Sequence, residues 1–404
     1  MGTIGKILNK IKAPKVDYRP LIEVRVFRDN LLHNLKQYQQ KYPNLQFAPV
    51  IKSNAYGHGM VEVAEILDQE NKTLTPNPSP RGRGEPPMPF FMVDSFYEAL
   101  VLRSAGIKTK ILVLGYCREG QLLSAGLKNV SFGIIDLQIL KNLSAKLKKP
   151  LNIHLKIDTG MHRQGILISE IDSAIAAIKK NQNIIVEGIC THFADADGAS
   201  SEFTETQIEA WNRAAKIFRA AFPEIKYFHA TATAGARYAY KIDQNVGRLG
   251  IGLYGIEPNY SNADKSARCT LGLKPALEMT SLISSIKHIR AGEKVGYGAT
   301  FTSQKPTIVA TVPVGYNEGV DRRLSNIGSM SVKGVSCPVV GRVSMNMCSI
   351  DVSEVPDVTI EDDVVVIGFN KTEKNSVENI AKLCGCIPWE ILVHVPQHLR
   401  RMVV

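Results

Sequence analysis

The chain has 404 residues, 44% of them hydrophobic and 22% charged. That is enough to bury a sizeable core in one large and one smaller domain without a disulfide or structural metal. The formal net charge is +11, but lysines and arginines are spread along the whole chain, so no basic stripe points to a nucleic-acid partner. No apolar run reaches the ~18 residues of a membrane-spanning helix, and the seven cysteines are scattered with no C-x-x-C pair, the usage of a reduced, cytoplasmic protein.

In chain order, residues 1–16 place Lys6, Lys10, Lys12 and Lys15 around Ile4, Ile7, Leu8 and Ile11. The apolar positions have helical spacing, which predicts a basic amphipathic extension lying on the body or anchoring to a membrane surface. Leu21 to Phe27 alternates apolar and polar and reads as a strand that can pair with either domain. Apolar runs of strand length then recur at 47–52, 89–93, 110–115, 130–135, 151–157, 184–191, 227–233 and 245–251. Helical patterns such as Ser95 to Ala105 and Ser169 to Lys180 lie between them. Such runs suit strands buried on both faces of a parallel sheet, and eight in series predict an α/β fold with a (β/α)8 barrel over residues 17–262. Pattern alone leaves a doubly wound sheet open.

The stretch KTLTPNPSPRGRGEPPMP at 72–89 cannot form a helix or a central strand and predicts an inert insertion in a tolerant loop. After Gly255 the texture changes. Residues 257–275 read as a linker, and 270–404 as a mostly antiparallel β domain. Its runs are Thr280 to Ile289, Thr307 to Val314, Met330 to Val335, Pro338 to Val352 and Val364 to Ile367, with one helix at Ser376 to Leu383 capped by Ser376.

Barrel enzymes work at the C-terminal ends of their strands. The predicted strand ends carry Lys52, then Lys156 and Asp158 ahead of Arg163, then His192, Thr233 and Arg248, with Gly250 and Ile251 following. The loops after the last two strands are a frequent phosphate site in barrels, which Thr233 and the backbone near Gly250 suit. A lysine at a buried rim beside a phosphate site suggests a Schiff base with pyridoxal 5′-phosphate, since desolvation helps make an amine nucleophilic.

Six stretches, VIKSNAYGHG, HLKIDTGMHRQG, THFADAD, GRLGIGLYG, EKVGYGATF and GRVSMNM, resemble, in order and over nearly the whole chain, the alanine racemases, pyridoxal-phosphate enzymes of fold type III. The resemblance implies a homodimer with shared active sites that interconverts L- and D-alanine to supply D-alanine for peptidoglycan. It implies that Lys52 binds the cofactor and serves as one catalytic base, and that Tyr297, reaching in from the partner, is the other. Tyr56 and Thr233, with the backbone of Gly250 and Ile251, correspond to the phosphate site, and Arg248 to the group facing the pyridine nitrogen. Arg163 corresponds to the residue touching the phenolic oxygen and the substrate carboxylate. His192 matches the histidine beside the ring that links Arg248 with Tyr297, and Met345 the partner's residue near the substrate. Lys156 matches a lysine often carbamylated, with Asp158 in support. Tyr316 matches a residue of the substrate passage.

The residue types fit the chemistry. Two bases on opposite faces exchange an α-proton with little movement. Arg248 stays charged, so it donates to the ring nitrogen without protonating it, which weakens the electron sink. Tyr297 must ionise against a reference pKa of ~10, with positive charge through His192 and Arg248 expected to help. Three positions depart from the family pattern: Ala232 replaces an asparagine, Asn346 in Ser344-Met345-Asn346 replaces an aspartate, and Gln397 replaces a tyrosine that contacts phosphate. They leave open a broader amino-acid racemase. A metal-dependent barrel hydrolase built on Lys156, His154, His192, His229 and Asp195 wants a His-x-His pair on the first strand, where this chain has APVIK, so no metal is expected and His154 and His229 read as structural. A non-catalytic pyridoxal-phosphate-binding barrel lacks the second domain that supplies Tyr297 and Met345.

Overall fold

A computed structural model describes residues 19–73, 87–198, 200–258 and 271–404. The basic extension 1–16, most of the 72–89 insertion and most of the linker lie outside the described residues. Strand β1 (Glu23–Val26) is followed by β2 (Gln46–Pro49), β3 (Phe91–Val93), β4 (Ile111–Val113), β5 (Val130–Ile134) and β6 (Leu151–Asp158). A short β7 (Ile166–Leu167) extends the end of β6; β8 (Ile184–Cys190), β9 (Tyr227–His229) and β10 (Val246–Leu249) complete the first domain. Strands β3, β4, β5, β6, β8 and β9 form a parallel sheet in that order, and β10 pairs parallel with β2. Two seams close the ring. Val50 bridges Met92 in parallel, with Ile51 N–H donating to Met92 O at 2.9 Å. Arg248 N–H donates to Thr231 O at 3.0 Å and Asn245 N–H to Phe228 O at 3.1 Å.

Period-two alternation sorts the side chains. Phe91, Val93, Ile111 and Val113 face the helices and join the large core there, while Phe90, Met92, Leu112, Ala48 and Val246 fill the barrel interior. Each of the larger ones, fully buried, contributes ~1.5–3 kcal/mol. The interior also holds His154 and His229, joined Nδ1 to Nε2 at 2.8 Å and packed around Phe90, ring centroids 5.3 and 5.6 Å away. Burial pushes His154 down to about 3 and His229 well below the ordinary imidazole value, so the pair is neutral and sits among packed aromatics.

The helices start where the sequence supplies caps. Ser95 accepts from Glu98 N, and Glu98 returns the bond to Ser95 N, before helix Phe96–Ser104. Asp136 accepts from Gln138 and Ile139 N before helix Leu137–Lys146. The long helix Glu202–Ala221 buries Ile208, Trp211, Ala214, Ala215 and Phe218 at helical spacing.

The second domain contains β11 (Leu277–Leu282), β12 (Ser285–Ile289), β13 (Lys294–Val295), β14 (Phe301–Thr302), β15 (Thr307–Val312), β16 (Ser329–Val332), β17 (Val335–Pro338), β18 (Cys348–Asp351), β19 (Asp363–Ile367) and β20 (Arg401–Val403). The main sheet runs β17-β16-β19-β11-β1-β20, antiparallel except for β1 with β20. A second sheet, β12-β15-β18, is antiparallel throughout. Thus Glu23–Val26 belongs to the C-terminal sheet.

Several runs read as single strands are broken. Thr280 to Ile289 splits at Ile283–Ser284, whose N–H groups bond Asp362 and Thr311 and carry the chain from one sheet to the other. Met330 to Val335 runs into a hairpin at Lys333–Gly334, both at positive φ. Pro338 to Val352 breaks after Pro338, which has no N–H to continue a ladder, and again at Gly341 with φ +82°. Ser376 caps helix Val377–Cys384; the following helix, Pro388–Val393, and β20 were not anticipated. Among the described residues all six cysteines are unpaired, and no helix is long and apolar enough to cross a membrane.

Candidate active site

The stretch after β2 forms a left-handed turn. Ser53, Asn54, Ala55 and Tyr56 have φ between +51° and +54°, and Gly57 follows at +83°. Such backbone costs roughly 1–2 kcal/mol per non-glycine residue, so other groups must hold it. Glu98 Oε1 accepts from Ser53 N at 2.7 Å. Asn54 Oδ1 accepts from Met60 N at 3.1 Å. His58 Nδ1 lies 3.1 Å from Ala55 O and 3.0 Å from Tyr56 O, so its proton is on Nδ1; burial brings its pKa down to about 4. From the second domain, Arg401 donates twice to Gly57 O, at 2.9 and 3.2 Å. A Cβ on Gly57 would stand 2.0 Å from Leu392 O. The brace fixes Lys52 at the end of β2, beside the end of β3.

Lys52 opens into a cavity of about 690 Å³. Tyr56, Lys156, Arg163, His192, Arg248 and Gly250 share its wall. Arg248 is buried, and burial brings its pKa below the usual guanidinium value; it is anchored by donation to His229 O at 3.2 Å and Ala230 O at 2.8 Å. Its Nη2 also donates to His192 Nδ1 at 3.2 Å. Arginine has no acceptor, so His192 is the neutral tautomer protonated at Nε2. Burial first, then the charges of Arg248, Arg163, Lys156 and Lys52, bring His192 down to about 3. The expected positive charge at this site is therefore Arg248's, and His192 passes on only a neutral N–H. Lys156 is buried, bonds Gln164 Oε1 at 3.3 Å, and has its pKa lowered mainly by that burial. Asp158 Oδ1 accepts from Gly160 and His162 N at 2.9 and 3.1 Å, fixing the loop that carries Arg163.

A second cavity of about 250 Å³ adjoins the first, with Tyr56, His192, Ala232, Gly250 and Trp389 common to both walls. Thr233 and Ile251 stand at the starts of the short helical turns Ala234–Lys241 and Ile251–Tyr254. Thr233 Oγ1 accepts from Gly250 N at 3.1 Å and Gly252 N at 3.4 Å. A Cβ on Gly250 would come within 3.2 Å of Tyr56 Oη. Tyr56 is pushed up to about 12 by burial and by Asp94, so it remains a donor. Amides, a hydroxyl and a protonated phenol converging on a small cavity suit a phosphate dianion. The larger cavity beside it, with a primary amine and a permanently charged donor, suits an aldehyde-bearing pyridine ring.

Residues 26–75 and 87–258 match the alanine racemase N-terminal domain, and residues 276–403 the C-terminal domain. The chain belongs to the alanine racemase family. An alanine racemase of Carboxydothermus hydrogenoformans is 33% identical over 379 residues, covering 93% of this chain and 97% of that protein. One from Methanococcus maripaludis is 33% identical over 375 residues, covering 92% and 95%. Among solved structures, an alanine racemase of Clostridium difficile 630 superposes with a TM-score of 0.83 at 28% identity, covering 96% of this chain and 97% of that one.

Against the family's motif residues, the protomer divides in two. Lys52, Tyr56, Lys156, Arg163, His192, Thr233, Arg248, Gly250 and Ile251 gather on the two cavity walls. Tyr297, Met345 and Tyr316 do not line them; they are exposed on the second domain, Tyr297 at 72%. Gln397 is also exposed and off both walls. The second domain instead contributes Trp389 and Val393. Asn346 donates to the buried Glu318 at 2.7 Å, and Glu318 also accepts from Gly315 N and Asn317 Nδ2. The amide at 346 thus serves a carboxylate where an aspartate would oppose one. Sequence reasoning missed Asp94, Glu98, Tyr116, Trp389, Val393 and Arg401. The capping spacing of Ser95 and Glu98 was readable, but not the reach of Glu98 to Ser53.

Proposed function

We propose that the protein is a pyridoxal-phosphate-dependent alanine racemase that interconverts L- and D-alanine, supplying D-alanine for peptidoglycan in the cytoplasm, as a homodimer with shared sites. The observation that carries this reading is the placement of the Lys52 amine in one cavity with Arg248 and with the Tyr56–Thr233–Gly250 cradle. When bound, the cofactor supplies an aldehyde that condenses with amines and a ring that withdraws electrons from Cα. The chain's own groups do the rest. Tyr56, Thr233 and the backbone at Gly250 and Ile251 would hold the phosphate. Arg248, which keeps its proton, would donate to the ring nitrogen and so limit electron withdrawal, which favours reprotonation over side reactions.

Arg163 holds the substrate carboxylate, and Asp158 holds the Arg163 loop. Lys52 accepts or returns the α-proton on one face, and Tyr297 of a second copy does so on the other, with Met345 beside the substrate. The depressed pKa of Lys156 leaves more neutral amine to react with CO₂, and the carbamate formed would pair with Arg163. We assign the barrel to residues 17–262 without β1, and the second domain to 270–404 with β1.

A broader amino-acid racemase is the second reading, favoured by Ala232, whose small side chain is common to both cavity walls. An absorption spectrum of the purified protein tests the proposal. A cofactor band that borohydride removes, that K52A lacks, and that accompanies D/L interconversion of alanine supports it. Turnover of an amino-acid panel separates the two specificities, and cofactor binding without interconversion leaves only a carrier.

A further inference from the structure

We propose that Asp94 is the counter-charge that holds the Lys52 amine in place whenever that amine is free, a positioning residue whose role in turnover rests on the function proposed above. Among the described residues five charged side chains line the larger cavity: Lys52, Lys156, Arg163 and Arg248 are cationic, and Asp94 is the one carboxylate. The cofactor and a substrate carboxylate explain Arg248 and Arg163. A carboxylate on the same wall repels both ligands, so it needs a reason of its own.

Asp94 Oδ1 lies 3.0 Å from Lys52 Nζ. The backbones that carry the two groups are tied by a single side chain: Glu98 Oε2 accepts from Asp94 N at 2.7 Å while Glu98 Oε1 accepts from Ser53 N at 2.7 Å. Gly115 makes the space, because a Cβ there would stand 2.0 Å from Asp94 O and 3.2 Å from the carboxylate carbon. The other titratable groups on the wall with Lys52 are Tyr56 on its own turn, which is protonated, Tyr116 after β4, and the barrel-rim residues Lys156, Arg163, Arg248 and neutral His192. The second-domain helix brings only Trp389 and Val393. Without Asp94, the groups facing Lys52 are cationic or neutral, save a carbamate on Lys156, which would be paired with Arg163.

In turnover, the substrate C–H bond breaks, its electron pair stays on the substrate, and the proton ends on Lys52 Nζ. Asp94 is already placed to receive the ammonium so formed. Its charge also turns the substrate carboxylate away from the Lys52 end and towards Arg163.

The pair is tested on cofactor-free protein by competitive acetylation with acetic anhydride from neutral to alkaline pH, reading the Lys52 peptide by mass spectrometry. At neutral pH, D94N raises Lys52 labelling about five-fold, near the upper range for a half-exposed pair. D94E restores the wild-type value. In the loaded enzyme, D94N lowers kcat with D-alanine by about five-fold with KM little changed, and D94E restores it. Unchanged labelling, or an unchanged kcat, overturns the proposal while a borohydride-sensitive band keeps the function. A wild-type protein without that band overturns the function and, with it, this role in turnover.

Discussion

Two turns carry the proposed bases, and they are built in opposite ways. The Lys52 turn is left-handed over five residues and is braced from every side, by Glu98, by Asn54, by His58 and by Arg401 from the other domain. The Tyr297 turn also uses positive φ, at Gly296, Gly298 and Ala299. It sits at the tip of the two-stranded ribbon β13–β14, with Tyr297 exposed. A Cβ built on Gly298 would meet the Arg342 guanidinium at 3.5 Å. One half of the proposed site is finished within the chain, while the other is presented outward. Strain is tolerated where packing over-determines it, and the exposure of Tyr297 fits the proposed role where a second copy would complete the surface.

The sharpest way to break this comparison is catalytic. Y297F should lower turnover from L-alanine by about 10²–10⁴-fold, the worth of a general acid–base group. K52A should be inactive too. Mixing the two inactive variants and allowing subunits to exchange should recover about a quarter of wild-type activity, because half the dimers are hybrids with one intact site of two. No recovery would confine both bases to one chain or discard one of them.

Next in size is a pair of glycine substitutions. G57A places a methyl 2.0 Å from a backbone oxygen at φ +83° and should cost several kcal/mol, beyond the usual range of single mutations. G298A meets only a flexible arginine and should cost about 1 kcal/mol, the left-handed penalty alone. Urea unfolding midpoints measure both, and equal losses would contradict the contrast between braced and open turns.

Acid should attack the braced half first. His58, His154, His192 and His229 all have folded pKa values below the ordinary ~6.5, about 4 for His58 and about 3 for His154 and His192. Between pH ~6.5 and those values the unfolded chain binds protons that the folded chain refuses. Stability is therefore fully present above ~6.5 and falls as pH drops, by up to about 1.4 kcal/mol per pH unit for each histidine. Urea midpoints at pH 7 and pH 5 should differ accordingly, and a flat profile would mean these rings are hydrated.

The smallest effect concerns the lip of the exposed half. N346D sets a second carboxylate against buried Glu318 and should destabilise by about 1–3 kcal/mol at neutral pH. The loss should shrink on acidification as one of the two carboxyls takes a proton. A thermal melt at pH 7 and pH 5 reads the difference.

Much of the architecture was legible from local pattern. Each of the eight apolar runs from Phe47 to Ile251 holds a barrel strand, because burial on both faces leaves a continuous apolar signature. Ser376 announced a helix start, because caps act within four residues, and the pattern from Ser95 to Ala105 holds a helix. The breaks inside the second domain were harder. Alternation continues across a hairpin or a change of sheet, and only Lys333–Gly334, Pro338 and Gly341 mark the turns.

What residue order determined by itself was the succession of strands, the identity of the amine, guanidinium and hydroxyl groups at their ends, and the second β domain that follows. Only the tertiary structure decided that β1 joins the far domain, that Arg401 locks Gly57 across 344 positions, that Asp94 meets Lys52, and that His192 is neutral. Those outcomes depend on through-space contact and on desolvation. Neither leaves a periodic trace along the chain, since both arise after the barrel has closed and water has left its mouth.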